Sequence, residues 1–539
     1  MTALAPARPR AAAGTGGGRH LAGTGTLLRL ALRRDRVLVP VWVAVVAALV
    51  LSMPGSLRGV YDTPADRAEL LRTMNTNGAM RAMYGPVLGD SLGALTAWRV
   101  GTFAAVLAAV MSLLVVVRHT RDEEESGRQE LVRAAVVGRH APLTAALLAA
   151  AVADGVLVLL LTAGLAAQGA AGAFAFGLAV GGTGLVFAAT AAVVAQFTQG
   201  ARLARGVTAA LLGAAFVLRA AGDAGTGGGA SPLTWLSPVG WAEHVRAFAG
   251  ERWWVPALPA AAVAAQAVVA YASAGRRDVG MSFLPSRPGP AHGRLRSAAG
   301  LALRLQRGGL AGWSAGFLAA GAVLGAMTQG AADLVGDNRD TLDIIERMGG
   351  STGVTDAFLA TVAGLLGMVA ALYVVQAVLR LHGEETSQRA EPVLASAVGR
   401  LGWAAGHLVA AFAGAALVLL LGGAGLALGH GEDPGSVLGA CLVQVPAVWT
   451  VGGLAVLLYG WAPRLAPGAW GVAGAALLLG WIGPALKVPQ AVLDLSPYGH
   501  VPKLPGAEMA WGPVLVLTLI AAVLVAAGLA GLRRRDLTG

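Results

Sequence analysis

The sequence predicts an all-α membrane protein with twelve transmembrane helices, arranged as two parallel six-helix repeats. Hydrophobic residues make up 56% of the 539 residues and charged residues only 13%, whereas soluble domains carry roughly 25% charged residues. The mean hydropathy of +0.66 indicates the same class. Apolar stretches long enough to cross a bilayer also recur along the whole chain. This composition excludes a soluble multidomain enzyme.

Twelve segments have the length and apolar character of spanning helices, which need about 20 mainly apolar residues. They are residues 37–53, 98–117, 144–167, 173–197, 206–222, 255–274, 312–328, 357–379, 404–428, 436–459, 468–486 and 512–532. The fifth and eleventh segments are short and rich in Gly.

Basic residues flank these segments on one predicted side of the membrane. They include Arg33 and Arg34 before the first segment, Arg276 and Arg277 after the sixth, and residues 533–535 at the end. By the positive-inside rule, this pattern places both termini in the cytoplasm. The net charge of +11 therefore reflects membrane topology, and no nucleic-acid partner is expected.

The two halves of the chain repeat one charged block. Residues 123–139 (EEESGRQELVRAAVVGR) and 384–400 (EETSQRAEPVLASAVGR) align without a gap at an offset of 261 residues. The shared residues include Glu123, Glu124, Ser126, Arg128, Glu130, Gly138 and Arg139 in the first block, and Glu384, Glu385, Ser387, Arg389, Glu391, Gly399 and Arg400 in the second. An internal duplication with the same orientation in each half follows from this match.

The duplication predicts four regions along the chain. Residues 1–25 lack the apolar core of a signal peptide and are expected to form a disordered cytoplasmic tail. The first six-helix half is residues 26–274, and the second is residues 301–539. Residues 275–300 are rich in Pro, Gly and Arg without apolar periodicity, which is typical of a cytoplasmic linker.

Each repeated block predicts a short amphipathic helix at the cytoplasmic face. Glu130 and Glu391 are expected near the helix starts, since acidic side chains favour the positive end of the helix dipole. Gly138 and Gly399 are expected to close these helices. The acidic residues of both blocks are expected to lie in water. The alternative interpretation is an ordinary charged loop.

Two weaker repeats accompany the block. Leu/Arg-rich segments from Leu27 and Leu301 precede the first span of each half and predict amphipathic helices at the inner membrane surface. Leu-Ser-Pro sequences at Leu236 and Leu495 precede the sixth span of each half. They predict short helices that cap the pathway on the outer side.

With these features the chain resembles the fused, twelve-helix permeases of the type-2 ABC exporter family, in particular the actinobacterial branch associated with export of polyketides and other antibiotics. The resemblance implies a location in the bacterial inner (plasma) membrane. It also implies that the repeated segments are coupling helices, which dock on the ATPase. It assigns this role to Glu124, Glu125, Gly127, Arg128, Glu130 and Arg139, and to Glu385, Arg389, Glu391 and Arg400. Because Thr386 and Gln388 replace Glu125 and Gly127 in the second block, the two docking sites are not expected to be equivalent.

The chain has no ATPase motif of its own. A P-loop requires a Lys within G-x-x-x-x-G-K-[ST], and neither Lys487 nor Lys503, the two Lys residues, has that context. We therefore expect no enzyme activity and no cofactor in this chain. Two copies of a separate P-loop ATPase are expected to bind ATP and Mg²⁺, and to drive export of a hydrophobic or amphipathic small molecule.

Two other function classes are weighed against this one. An ion-driven secondary transporter with two parallel six-helix repeats would need a short basic loop of the G-x-x-x-D-R-x-G-R-R kind, which this chain lacks. A membrane-embedded enzyme would need a metal-ligand cluster or a nucleophile with its base near one membrane face. No such pattern is present in the sequence, and no metal site is expected.

Three charged residues fall within predicted spans. Asp154 and Arg219 lie at similar depths in the third and fifth spans, and Arg99 lies near the outer end of the second. A charge at that depth costs on the order of 2.5–3.5 kcal/mol on insertion scales, so each should face a partner or a cavity. The structural interpretation is an ion pair of Asp154 with Arg219 or Arg99. The functional interpretation is a contact with substrate or a proton.

Overall fold

The computed structural model describes residues 18–134, 136–225, 231–277, 281–283, 293, 295, 297–335, 354–482 and 489–536. The chain divides into two compact units, Met1–Pro288 and Gly289–Gly539. Every regular element in the described residues is a helix, and none is a strand. The protein is thus an all-α membrane protein, as its composition predicts.

The described residues of the first unit form fourteen α-helices. They are α1 (Thr24–Arg34), α2 (Leu38–Leu51), α3 (Met53–Val60), α4 (Pro64–Thr76), α5 (Gly78–Tyr84), α6 (Leu92–Arg118), α7 (Arg121–Glu125), α8 (Arg128–Arg133), α9 (Ala141–Leu165), α10 (Ala170–Phe197), α11 (Ala201–Gly225), α12 (Pro232–Leu236), α13 (Pro238–His244) and α14 (Ala257–Ala274). Short 3₁₀ helices cover Gly18–Leu21 and Ala166–Gln168. The expected disordered tail therefore has helical structure from Gly18 onward, and residues 1–17 lie outside the described part.

The second unit contains nine described α-helices. They are α15 (Ala298–Val335), α16 (Val354–Thr386), α17 (Glu391–Leu394), α18 (Arg400–His430), α19 (Pro434–Leu442), α20 (Val445–Trp461), α21 (Ala469–Ile482), α22 (Gln490–Leu493) and α23 (Trp511–Arg534). Short 3₁₀ helices cover Pro463–Gly468 and Pro497–His500.

Eleven helical segments of the described chain are long and apolar enough to cross a membrane. They correspond to eleven of the twelve predicted spans. The remaining predicted span, residues 468–486, begins as α21, which has only 14 residues to Ile482. Residues 483–488 lie outside the described part, so the twelfth span stays a prediction.

Proline interrupts the tenth predicted span. Helix α19 ends at Leu442 and α20 begins at Val445, with Pro446 at the start of the new helix. Proline lacks a backbone N–H and is tolerated only in the first turn of a helix. The predicted single helix is therefore two shorter helices in sequence.

The inner amphipathic segments of the two halves differ. Helix α1 ends before Asp35, whose buried carboxylate binds His119 Nε2 at 2.6 Å and Arg118 Nε at 3.2 Å at the end of α6. This contact holds the turn between α1 and α2. The second Leu/Arg segment has no acidic residue between Leu301 and Trp313, and it continues without a break into the seventh span as the 38-residue helix α15. The expectation of a separate helix there was wrong.

Helices α15 and α18 approach each other closely through glycines on both helices. A Cβ added to Gly321 would lie 2.1 Å from the carbonyl oxygen of Gly422, and one added to Gly425 would lie 2.1 Å from that of Leu318. Such a backbone approach is possible only when no side chain intervenes, which is the physical basis of small-residue packing between membrane helices.

We expect Gly425→Ala to destabilise the second unit by roughly 1–3 kcal/mol, the usual cost of overpacking. Gly316→Ala is the matched control, because a Cβ at this position on α15 meets no atom within 4 Å. Unfolding in detergent micelles, followed by circular dichroism, measures both. Equal midpoints for the two variants would contradict the close packing of α15 on α18.

Candidate functional site

The candidate site in the first unit is the turn between α6 and α9, on the predicted cytoplasmic side. Helix α7 ends at Glu125, Gly127 adopts a left-handed φ of 71°, and α8 begins at Arg128. The carboxylate of Glu123 accepts a hydrogen bond from Arg128 Nε at 2.9 Å and also pairs with Arg34 of α1. These contacts close the turn and attach it to the inner amphipathic helix.

The second unit has the same turn between α16 and α18. Gln388, at the position that corresponds to Gly127, has a left-handed φ of 58°. Glu384 Oε2 lies 3.6 Å from Arg389 Nε, as Glu123 lies near Arg128, and its Oε1 lies 2.8 Å from Arg380 Nε. The backbone is therefore alike at 127 and 388, although Gln must adopt a conformation that favours Gly.

A buried ion pair joins the first turn to the inner end of the sixth span. The Glu124 side chain is only 5% exposed. Its Oε1 lies 2.5 Å from Arg277 Nη2, and its Oε2 lies 2.6 Å from Arg121 Nη1. Arg277 follows α14, so this pair fastens the end of the second span to the end of the sixth.

The second turn has the corresponding ion pair. The Glu385 side chain is 3% exposed and binds Arg535 through both oxygens, with N–O distances of 2.6 and 2.7 Å. Tyr459 donates its hydroxyl to the same carboxylate at 2.6 Å. Hydrogen bonding to Glu385 raises the pKa of Arg535 above its usual value. We call the Glu124–Arg277 and Glu385–Arg535 pairs the two latches.

A second contact reinforces each latch. Arg139 donates from Nη2 to the carbonyl oxygen of Arg277 at 3.2 Å, and Arg400 donates from Nη1 to that of Arg535 at 2.7 Å. Each carbonyl lies just past the end of a spanning helix, where backbone acceptors lack a helical partner. The repeated arginines thus hold the same backbone position in both units.

The helices of the blocks are shorter than expected. Helix α8 ends at Arg133 and α17 at Leu394, well before Gly138 and Gly399. Gly399 instead precedes Arg400, the first residue of α18, in an extended conformation. The two glycines therefore precede the next spans and do not end the helices before them.

The expectation that the acidic residues of the blocks lie in water was wrong for Glu124, Glu384 and Glu385, whose side chains are at most 8% exposed. An arginine from the distant end of the same unit reaches Glu124 and Glu385, and Arg380 of α16 reaches Glu384. Glu125 is also engaged, since its Oε1 accepts the backbone N–H of Ala201 at 3.0 Å, at the first residue of α11. Glu124 and Glu125 thus join distant segments of the first unit, and Glu385 does so in the second.

Only some residues of the two turns are exposed to solvent. Glu130 and Glu391 are exposed, and among the described residues neither carboxylate has a hydrogen bond or ion pair. Leu131 beside Glu130 is 76% exposed. Arg128 and Arg389 lie on the same surfaces. We call Arg128, Glu130 and Leu131 the first turn surface, and Arg389 and Glu391 the second.

The predicted ion pair of Asp154 within the membrane does not form. Asp154 accepts a hydrogen bond from Ser112 Oγ at 2.7 Å, and no cation of the described chain lies within 4.0 Å of its carboxylate. Arg219 instead binds Glu243 at 2.8 Å and Asp223 at 3.6 Å. Arg99 lies over the ring of Tyr84, 4.4 Å from its centroid.

Glu243 is the residue that the sequence analysis missed. Its Oε1 accepts hydrogen bonds from Thr102 of α6 at 3.0 Å and Arg219 of α11 at 2.8 Å. Arg219 also donates to the carbonyl oxygen of Ala82 at 2.7 Å. Glu243 reaches Arg219 because it lies on α13, within the segment that follows the first Leu-Ser-Pro sequence. Its position beside that repeated sequence was the available signal.

The Leu-Ser-Pro segments form short helices, as predicted. In the first unit Ser237 accepts hydrogen bonds from the N–H groups of Val239 and Gly240, which caps α13, and donates to the Ala215 carbonyl at 2.6 Å. In the second unit Pro497–His500 is a 3₁₀ helix. Their placement over a pathway stays a prediction.

No group of three or more His, Cys, Asp or Glu side chains suited to a metal ion occurs in the described residues. The buried carboxylates of the two turns are paired with guanidinium groups, and these ion pairs join helices.

Comparison with known proteins identifies relatives of this architecture. A family profile described as the C-terminal domain of the multidrug efflux system permease Rv1217c matches residues 295–533. Over 555 aligned residues, the chain is 43% identical to the multidrug efflux system permease protein Rv1217c of Mycobacterium tuberculosis. The alignment covers 99% of each chain.

We expect Glu385→Gln to lower the free energy of unfolding by about 3–5 kcal/mol, because removal of one partner leaves Arg535 buried without its counter-charge. Glu391→Gln in the same block should change it by no more than about 0.5 kcal/mol, as for other exposed positions. Denaturant titration of the two purified variants measures the difference. A loss at Glu391 as large as that at Glu385 would contradict the assignment of the latch.

The left-handed turn allows a reciprocal exchange. Gln388→Gly should raise stability by up to about 1 kcal/mol, because Gly adopts positive φ without the steric cost of a side chain. Gly127→Gln should lower it by roughly 1–2 kcal/mol for the same reason, since a Cβ there meets no atom within 4 Å. Changes of equal sign in the same denaturant titration would show that the two turns differ in conformation.

Proposed function

The chain belongs to the family of multidrug efflux system permeases, and we propose that it is the permease subunit of an ATP-binding-cassette exporter of the type-2 class. The family makes it a multi-pass efflux permease of the bacterial membrane. In the proposed system a separate ATPase binds ATP and Mg²⁺ and powers the export of hydrophobic or amphipathic, drug-like molecules. Both termini of the permease lie in the cytoplasm.

The observation that supports this proposal is the pair of latched turns. An ATPase dimer needs one contact for each of its subunits on its membrane partner, and each unit of this chain supplies one turn with an exposed glutamate, Glu130 or Glu391. Two copies of the ATPase subunit per chain are therefore proposed. The exposed apolar side chain of Leu131 adds a surface for contact with the ATPase, because an apolar side chain is unfavourable in water.

The latches suggest how a push on the turn reaches the membrane. Each turn lies between the second and third spans of its unit, and its latch joins it to the end of the sixth. Because the pairs are buried, separating them costs several kcal/mol. When the ATPase displaces a turn, the adjoining ends of the second, third and sixth spans then move with it, because the latch prevents the turn from bending as a flexible loop. This is the proposed route from ATP hydrolysis to a change in cavity access.

A proton-driven secondary transporter is the second candidate. The buried carboxyl of Asp154, at the middle of a spanning helix, is the observation that favours it, because such groups often carry protons in transporters. Reconstituted vesicles distinguish the two candidates. Export that requires ATP and the ATPase, and persists when an ionophore removes the proton gradient, supports the exporter; export driven by the gradient alone supports the alternative.

Charge reversal at the turn surfaces tests the exporter directly. We expect Glu130→Lys combined with Glu391→Lys to reduce association with the ATPase at least about tenfold, because like charges at an interface cost several kcal/mol. Pull-down of the ATPase and drug-resistance assays measure the loss. These two residues are preferred to Glu124 and Glu385, whose reversal would break the latches.

Glu69→Lys is the matched control, since Glu69 is 70% exposed on α4, on the predicted outer side. This variant should retain resistance and association. If the double variant also retains both at the level of the unmodified protein, the two turns are ordinary charged loops and the proposed docking role is wrong.

A further inference from the structure

Three exposed arginines lie where the inner amphipathic helix meets the first span. Arg29 and Arg33 are on α1, and Arg36 is in the short turn between α1 and α2. No carboxylate of the described chain lies within 4.0 Å of their guanidinium groups. We call these three residues the arginine cluster. They form a positive surface whose charge the described part of the protein does not balance.

The acidic residues closest to the cluster in the fold bind other partners. Asp35 is the single acidic residue in α1, α2 and the turn that joins them. It is buried, and its carboxylate binds His119 and Arg118 on the inward side. Glu123 of the first turn pairs with Arg34, the neighbour of Arg33 in sequence. The cluster therefore keeps its charge available to a partner outside the chain.

The spacing of the arginines places their side chains close together. Arg29 and Arg33 are four residues apart, so they share one face of α1 and lie about 6 Å apart along its axis. Arg36 follows three residues later, at the point where the chain enters the first span.

An exposed apolar stripe begins directly beside the cluster. Val37 follows Arg36, and Val41 and Val45 continue the same face of α2 at four-residue intervals. These three side chains are 67%, 55% and 53% exposed. We call them the valine stripe. A positive group at the end of an exposed apolar stripe matches a phospholipid, which has a charged head and apolar chains.

We propose that the arginine cluster and the valine stripe together bind an anionic phospholipid of the inner leaflet, with the phosphate at the arginines and an acyl chain along the valines. Guanidinium groups form charge-assisted hydrogen bonds with phosphate oxygens in a matching planar geometry. Basic segments beside a membrane span attract anionic lipids. A soluble phosphate would balance the arginines but would leave the stripe without an apolar partner. This binding is additional to the proposed function and does not depend on it.

Native mass spectrometry of the purified full chain, titrated in detergent micelles, measures lipid binding. The two probes are dioleoyl phosphatidylglycerol, which is anionic, and dioleoyl phosphatidylcholine, which has no net charge. Because their acyl chains are identical, the ratio of their affinities reports the headgroup alone. We expect the unmodified chain to bind phosphatidylglycerol at least about tenfold more tightly, as attraction to several arginines implies.

Two triple variants test the cluster. In Arg29→Gln, Arg33→Gln, Arg36→Gln the preference for phosphatidylglycerol should disappear, because the three charges are removed. In Arg29→Lys, Arg33→Lys, Arg36→Lys most of the preference should remain, because the charges are kept. Phosphatidylcholine binding should be equal in both variants and the unmodified chain, which shows that the fold is intact.

A control variant and a soluble competitor separate this site from general charge effects. Arg58 and Arg72 are exposed on α3 and α4, on the predicted outer side. The variant Arg58→Gln, Arg72→Gln lowers the net charge but should keep the preference for phosphatidylglycerol. An excess of sn-glycerol 3-phosphate, which has the phosphate without acyl chains, should not displace the lipid.

The proposal is supported if the preference is lost in the Gln variant and kept in the Lys and control variants. No preference in the unmodified chain, or a preference that survives in the Gln variant, would overturn the site. Equal loss in the control variant would reduce the effect to net charge, and equal loss in the Lys variant would overturn recognition by charge. Displacement by sn-glycerol 3-phosphate would overturn the lipid as the occupant. No ATPase or substrate is present, so these results leave the proposed function to its own tests.

Discussion

A carboxylate that is almost fully buried at the edge of a membrane needs a cation beside it, because desolvation otherwise disfavours its charge. Each unit of this protein meets that requirement with an arginine from the far end of its own chain. Arg277 binds Glu124, and Arg535 binds Glu385, across sequence separations of 153 and 150 residues. The arrangement of these helix ends, the shape of the turns and the proposed use of the turns as docking surfaces all depend on these two pairs.

The latches also explain why the sequence predicted the framework better than the roles of its residues. Apolar length and charge bias located eleven spans that the structure describes, and the repeated block indicated where the two units share a feature. Position in a charged loop suggested that Glu124 and Glu385 face water. Their burial depends on residues that are distant in the chain, and no local pattern encodes that contact. Glu130 and Glu391 remain exposed and carry the docking hypothesis alone.

The charges within the membrane show the same limit. Depth along a helix suggested that Asp154 would pair with Arg219, but depth contains no information about which helices are neighbours. Glu243, from a short helix before the sixth span, binds Arg219 and Thr102 instead. Asp154 is left with Ser112 as its hydrogen-bond partner among the described residues. The two units thus share the ion pairs at their turns and differ within the spanning helices.

The central claim is that each latch transmits motion from its turn, and a double-mutant cycle on Glu385 and Arg535 tests it most directly. ATP-driven drug uptake into inverted vesicles is measured for Glu385→Gln, Arg535→Gln and the double variant, with ATPase binding measured in parallel. The account predicts that each single variant retains ATPase binding but loses transport, and that the double variant is no worse than either single one, since all three lack the same pair. Additive losses of transport, or unimpaired transport in the single variants, would contradict it.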